Sequence, residues 1–289
     1  MIMFIHEVCE TTGLTRKAVE YYALQNLIAP SVLENGYREF GEADVERLKK
    51  ISVLRKLGVG TDGIRAVLED ETGEALRCLS LKAELMLERA QAKKEILDEL
   101  RSGKNYSDVR EELKAIEDRA TITEKILEAF PGYYGRFICL HFSRFLDEPI
   151  VTDKQRSAYE KILTFLDHVP DFELPEDLKT YLIENTGNMG TAEINEMIRS
   201  VRSTVENPEA FLDEHKEMLE QYFLFRESDE YKSSPAYRIQ SILMEFNRTG
   251  GYYDVFIPAM KDISASYAIY CKQLEAANEK FLAAYPEAR

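Results

Sequence analysis

The apolar positions of the first seventy residues fall into short runs with helical spacing, broken by glycine, proline and one Asn-Gly pair. Ile5 and Val8 lie three apart on one face of a first short helix, which Gly13 closes; glycine readily takes the left-handed conformation that ends a helix. The chain restarts at Leu14-Thr15. Thr15 is suited to cap a second short helix, because a threonine hydroxyl accepts from the unpaired N–H groups of the first turn. That helix carries Arg16, Lys17, Val19, Glu20, Tyr21, Tyr22 and Leu24. Two short helices joined by a tight turn make the helix-turn-helix pattern. Pro30 ends the segment, and residues 33–40 set Asn35-Gly36 between extended-prone positions. Asn-Gly is a strong hairpin signal, since both central positions of the favoured turn need positive φ, so a two-stranded wing is expected.

From Glu42 onward Val45, Leu48, Ile51, Leu54 and Leu57 recur at three- and four-residue steps up to Gly58. The spacing predicts an amphipathic helix with a basic outer face. Thr61 reads as the cap of a shorter helix bearing Ile64, Val67 and Leu68, interrupted across 69–73. Leu24, Leu27, Tyr37, Phe40, Leu48 and Leu54 are expected in the core of this unit. Residues 76–100 then carry leucine, isoleucine and alanine through alternating charges without proline or glycine, which predicts a long helix whose apolar seam pairs in a coiled coil or a bundle. A turn at 102–105 follows, and helical periodicity resumes over 109–127 until Pro131. Beyond Gly132 helical stretches alternate with proline and glycine breaks, and residues 136–142 offer the one tempting strand. The fold class expected is mostly α: a winged helix-turn-helix, a long dimerisation helix and an all-helical C-terminal domain. The corresponding boundaries are 1–72, 73–120 with its connecting helix, and 121–289.

Composition adds limits to this picture. The chain of 289 residues is 45% hydrophobic, enough to fill the cores of two globular units. Its start gains charge early and lacks the basic lead and long apolar run of a signal peptide, and no window reaches the roughly 20 consecutive apolar residues of a bilayer span. A cytoplasmic protein without membrane contact is expected. Cys9, Cys78, Cys139 and Cys271 lie far apart, without the spacing of zinc or iron–sulfur sites, and read as reduced, mostly buried thiols. The net charge of -15 disfavours a nucleic-acid partner at first sight. However, residues 1–70 hold nine Lys/Arg against eleven Asp/Glu, leaving -13 of the charge to the other 219 residues. Within the first part the cations cluster at Arg16-Lys17, at Arg38 and from Arg47 to Lys56, and such a stripe can bind phosphate on an acidic protein.

Ile5-x-Glu7-Val8, Thr12-Gly13-Leu14-Thr15, Tyr21-Tyr22, Leu27-Ile28-x-Pro30, Asn35-Gly36-Tyr37-Arg38-x-Phe40, Asp44-Val45-x-Arg47-Leu48 and Leu54-Arg55-x-Leu57-Gly58 together resemble the DNA-binding domain of MerR-family regulators. The resemblance covers under a quarter of the chain. It implies a winged helix-turn-helix followed by a long helix that pairs antiparallel with its twin in a homodimer. It also implies double-stranded DNA as partner, at a pseudo-palindromic promoter operator, with RNA polymerase at the same promoter. Thr15, Arg16, Lys17, Tyr21, Tyr22, Arg38 and Arg55 are the residues it places at the DNA. Arg16 and Lys17 belong to the recognition helix in the major groove, while Tyr21, Tyr22, the wing residue Arg38 and the third-helix residue Arg55 meet the phosphate backbone. Lysine and arginine neutralise phosphates and tyrosine hydroxyls donate to them. Taken alone, the two tyrosines also fit a core aromatic beside a surface aromatic. The chain departs from the family at Glu20, where arginine is usual. Glu20 either faces the backbone, reads a base, or pairs with Arg16 or Lys17 one turn earlier.

The second part admits several readings. Members of the family commonly sense a ligand there, so a small-molecule effector is expected. Cys78 stands near the place where the family's metal sensors hold a cysteine, but no cysteine-rich loop follows, so no metal and no cofactor are expected. The many aromatic residues from Tyr133 to Phe256 serve either a ligand pocket or core packing. The four histidines are scattered, and no HExxH, GxSxG or phosphate-binding glycine loop occurs, so the chain is not expected to be an enzyme. An interaction domain or an enzyme domain fused to a MerR-type module stands as the alternative.

Overall fold

In a computed structural model, residues 2–130, 132–170 and 174–286 are described. The chain divides into two compact units, residues 1–79 and 80–289.

In the first unit, α1 (Ile5–Thr12) ends at Gly13 with φ +68°, whose N–H donates to the Cys9 carbonyl. Thr15 then caps α2 (Arg16–Leu24), its hydroxyl accepting from Ala18 N at 3.2 Å. Strands β1 (Ser31–Val32) and β2 (Arg38–Glu39) pair antiparallel, Val32 opposite Arg38. The wing is therefore present, but its turn differs from the one Asn35-Gly36 suggested. Only Gly36 takes positive φ, +81°; Gly36 N donates to Leu33 O and Asn35 Oδ1 accepts from Tyr37 N. One left-handed glycine fits a three-residue loop rather than the two-residue hairpin, and Leu33 N donates to Tyr37 O across its base at 2.8 Å. The first residues join the wing through Met3, which exchanges both backbone hydrogen bonds with Phe40 at 3.0 and 2.9 Å.

Helix α3 (Glu42–Lys56) and helix α4 (Thr61–Glu69) complete that unit. Gly60 is the N-cap of α4 and Thr61 its first residue, so the threonine hydroxyl is free for another partner. Val8, Val19, Tyr22, Leu27, Phe40, Val45, Leu48, Ile51, Leu54 and Ile64 form one core. Two expected core residues lie outside it: Leu24 is 73% and Tyr37 66% exposed. Val19 and Tyr22 are three apart and share a face of α2, whereas Leu24 falls about 200° round the helix from Tyr22. Tyr37 lies in the hairpin loop, past the last paired residues.

Helix α5 (Glu74–Arg101) runs on from the first unit, and α6 (Tyr106–Ala129) returns after the turn. Lys104 in that turn bridges Glu99 and Glu112 at 2.8 and 2.6 Å. The expected seam of α5 divides into two faces. Leu81 and Ile96 are buried and Leu85 packs against the main core of its own chain, while Leu76, Leu87 and Leu97 are exposed.

The second unit is helical among its described residues. Its main core joins α6, α7 (Gly132–Ser143), α8 (Asp153–Asp167), the π-helical turn Tyr252–Phe256, α15 (Ile257–Ile263) and α16 (Ala265–Ala284). Helices α9 (Glu176–Thr186), α10 (Thr191–Glu206), α11 (Pro208–Glu214), α12 (Lys216–Glu227), α13 (Asp229–Lys232) and α14 (Pro235–Thr249) complete it. Smaller clusters gather Leu178 with Ile239, and Leu219 with Phe223 and Tyr285. The tempting strand at 136–142 is part of α7, whose Arg136, Ile138, Cys139, Leu140 and Phe142 are all buried. A helix enclosed on every side is apolar all round, and that erases the periodicity by which helix and strand are told apart. Of the cysteines, Cys139 and Cys271 are buried and Cys9 and Cys78 half-buried. No helix among the described residues is long and apolar enough to cross a membrane.

Candidate nucleic-acid interface

Helix α2 has one face in the core of the first unit and another in solvent, and its sequence sorts the side chains accordingly. Val19 is fully buried and Tyr22 is 5% exposed. Tyr22 meets Tyr21 edge to face at 5.5 Å, and Tyr21 itself is 45% exposed. The adjacent tyrosines thus divide into a core ring and a surface ring, the alternative that their spacing left open.

On the outer face, the Arg16 guanidinium donates to Glu20 Oε1 at 2.9 Å across one helical turn. The bond and the charge of Glu20 hold the Arg16 pKa above its ordinary value. The nearby cation also opposes the upward push that burial gives the Cys9 thiol. Lys17 is exposed and has no side-chain partner among the described residues. Arg38 stands on β2 with its side chain likewise uncommitted.

Four further contacts fix this surface, and the sequence pattern did not announce them. Tyr21 Oη lies 3.3 Å from Thr61 Oγ1, joining α2 to the first residue of α4. Arg55 Nη1 donates to the Val59 carbonyl at 2.9 Å, closing the loop between α3 and α4. Arg47 Nε and Arg65 Nη2 donate to the carbonyls of Leu27 and Gln25 at 2.8 and 2.7 Å, satisfying backbone groups past the end of α2. Arg47 is thereby withdrawn from the basic outer face read on α3; Lys49 pairs with Glu46 at 2.6 Å, and Lys50 and Lys56 stay uncommitted among the described residues. The small residues of Gly58-Val59-Gly60-Thr61 were the available signal for a close approach of α4 to α2.

Helix α2 carries Arg16, Lys17 and the Tyr21 hydroxyl, the hairpin carries Arg38, and the α3–α4 junction carries Arg55 and the Thr61 hydroxyl. Cations and hydroxyl donors are the groups that neutralise and hydrogen-bond phosphates. Among the described residues no group of three or more His, Cys, Asp or Glu is placed to hold a metal ion.

Comparison with known proteins places this geometry. The profile of the MerR HTH family regulatory proteins matches residues 3–71. The HTH-type transcriptional activator Mta of Bacillus subtilis is 24% identical over 156 residues, 54% of this chain and 60% of that protein. The HTH-type transcriptional regulator CueR of Yersinia pestis is 32% identical over 97 residues, 33% of this chain and 70% of that one. The HTH-type transcriptional regulator TnrA of B. subtilis is 31% identical over 97 residues, 34% and 78% respectively. The match to Mta thus spans less than two thirds of its length. No solved structure matches the chain.

Proposed function

Since the chain belongs to the MerR family of HTH regulators, we propose that it is a DNA-binding transcription regulator that acts as a homodimer on a pseudo-palindromic promoter operator, alongside RNA polymerase. The observation that supports this reading is that Lys17 on α2, Arg38 on the wing, Arg55 at the end of α3 and the Tyr21–Thr61 hydroxyl pair are all carried by one folded unit around a single core. Lys17, with Arg16, enters the major groove at the N-terminal part of α2, its backbone entry set by the Thr15 cap. Arg38 on the wing and Arg55 at the α3–α4 junction neutralise phosphates, and Tyr21 donates to one. Tyr22 shapes the helix from inside, with only the rim of its ring left for the backbone.

Homodimerisation is supported by the exposed stripe of α5. Leu76, Ala83, Leu87, Ala90 and Leu97 follow one another at seven- and four- or three-residue steps, the spacing of a coiled-coil seam. The alanines permit close approach of a second helix.

Response to a small-molecule effector is supported by a groove of about 590 Å³ within the second unit, lined by Leu85 and Ile96 of α5 and Ala115, Ile116 and Leu127 of α6. The volume lies in the range of ligand sites, roughly 300–1,000 Å³. A ligand seated there contacts the same helix that carries the stripe. The test is a thermal-shift screen of the full chain, in which ligands of the folded state raise the midpoint with concentration. Hits are then added to an operator titration. Hits that shift the midpoint but leave operator affinity unchanged would contradict the effector role.

A further inference from the structure

Helix α7, the turn that follows it, α10 and α16 meet around a cation that has no counter-ion among the described residues. The Arg144 guanidinium lies 4.9 Å from the centre of the Phe145 ring and 5.8 Å from that of Tyr270. Its Nη2 stands 3.4 Å from His141 Nδ1. His141 is stacked on Phe137 and meets the Phe145 and Tyr270 rings edge-on, each at 5.8 Å. Neutral imidazole nitrogen accepts a hydrogen bond but brings no negative charge. Arg144 Nε is buried without any hydrogen-bond partner, alone in this respect among the described side chains. No carboxylate lies within ion-pair distance of Arg144 among the described residues.

A second cation stands on α10, the helix that packs against both α7 and α16. Arg202 on α10 spends its Nε on Glu206 at 2.7 Å, which leaves its two terminal nitrogens to other acceptors. Burial pushes the Tyr270 phenol up, and both Arg144 and Arg202 pull it back, so the two guanidiniums act on one hydroxyl. Burial also holds Arg144 below the ordinary arginine range, with the like charge of Arg202 adding to that effect and Tyr270 opposing it. A buried donor without an acceptor is costly to fold, and Arg144 holds its charge against two aromatic rings with no carboxylate at ion-pair distance among the described residues. One negatively charged group would relieve both.

We propose that Arg144, Arg202 and Tyr270 form a binding site for a small oxyanion, a carboxylate or a phosphate. Arg144 offers the planar fork that matches either group with two parallel hydrogen bonds. Arg202 and the Tyr270 hydroxyl supply further donors, and the Phe145 and Tyr270 faces flank whatever planar body the anion carries. The site is separate from the groove between α5 and α6, and it stands whether or not its occupancy affects DNA.

The test is calorimetric titration of the full chain with inorganic phosphate and, separately, with benzoate, at ionic strength held constant with chloride. Saturable binding of at least one probe is expected, and the tighter of the two identifies the group preferred. R144Q is expected to weaken that binding at least about tenfold, which corresponds to the loss of one charged two-point contact. R202Q weakens it to a lesser degree, and R248Q, which removes a surface cation paired with Glu245, leaves it unchanged. R144K keeps the charge but loses the fork and falls between wild type and R144Q. If R144Q does not fold by circular dichroism, R144K and R202Q carry the comparison. The proposal is overturned if neither probe saturates below about 20 mM, a dissociation constant too weak to discriminate ligands, or if the folded arginine variants bind like wild type. Phosphate held by the cations of the first unit would survive R144Q and would count against the site.

Discussion

Arg16 and Glu20 are paired across one turn of α2, guanidinium to carboxylate at 2.9 Å, with side chains 75% and 38% exposed. The pair explains how an acid is tolerated on a helix proposed to enter the groove. Glu20 is held by a cation of its own helix and sets where that cation points, an arrangement that takes nothing from the duplex. Glu20→Gln is expected to leave preference among single-base operator variants unchanged. A drop in discrimination of about tenfold or more at one base pair would instead mean that Glu20 reads that base directly.

Arg38→Ala and Arg55→Ala are expected to weaken binding to all duplexes about equally, each lowering the slope of log affinity against log salt by about one. They differ in stability. Arg55 also closes the α3–α4 loop onto Val59 O, so its loss is expected to destabilise the first unit by about 1 kcal/mol, with no such change for Arg38. Denaturant titrations beside salt-dependent affinities separate the two effects. A change of sequence preference in Arg38→Ala without a change of slope would remove Arg38 from the backbone.

The division of the α5 seam makes a sharper test of dimerisation than its sequence allowed. Leu85, which the pattern offers equally with Leu97 as a seam position, packs into its own chain. Leu87→Glu with Leu97→Glu is expected to give a folded monomer and to weaken operator binding together. Leu85→Glu is expected to destabilise the second unit without breaking the dimer, because it removes a side chain that packs against that unit's own core. Light scattering with circular dichroism reads both. A double variant that remains dimeric would place the interface elsewhere.

His141 gives the second unit a pH dependence. Burial, with the charge of Arg144 adding to it, holds its pKa down to about 4, against about 6.5 in an unfolded chain. The unfolded chain therefore binds the extra proton between these values. Stability from this residue is fully present above about pH 6.5 and is lost as pH falls toward 4, by about 3 kcal/mol in all. His141→Gln is expected to flatten that part of the stability curve. A curve with the same slope in wild type and variant would contradict the assignment.

Gly135 sits where no side chain fits. A Cβ there would fall 1.4 Å from the Phe130 carbonyl oxygen, rigid backbone that cannot turn aside. Gly135→Ala is expected to destabilise the second unit by about 3 kcal/mol or more, as overpacking against fixed atoms does. Thermal unfolding of the variant checks this; an unchanged midpoint would mean the backbone there yields freely.

The legible parts of the fold were those written in local chemistry. The Thr15 cap, the left-handed Gly13, the helical spacing of Val45 to Leu54 and the uninterrupted run of α5 each act within a few residues, and the structure keeps all of them. What the sequence left unread depends on partners distant in the chain. Tyr21 and Tyr22 are the same residue type, and only the packing of α2 against Val8 and Leu48 decides which ring is buried. Arg47 and Lys50 look alike on a basic helix face until Leu27 O claims one of them. The orphaned Arg144 had no signature, because α10 and α16 do carry acids, and only the folded arrangement shows that none of the described ones comes within ion-pair distance of it.

Selection of the full chain against a random duplex library, followed by titration of the recovered site at several salt concentrations, tests the central claim most directly. The result expected is an enriched motif of two half-sites related by a dyad, bound by a dimer, with preference within each half-site altered by Lys17→Ala. Enrichment of no motif, with weak binding that depends on salt alone, or recovery of a single half-site bound by a monomer, would contradict it.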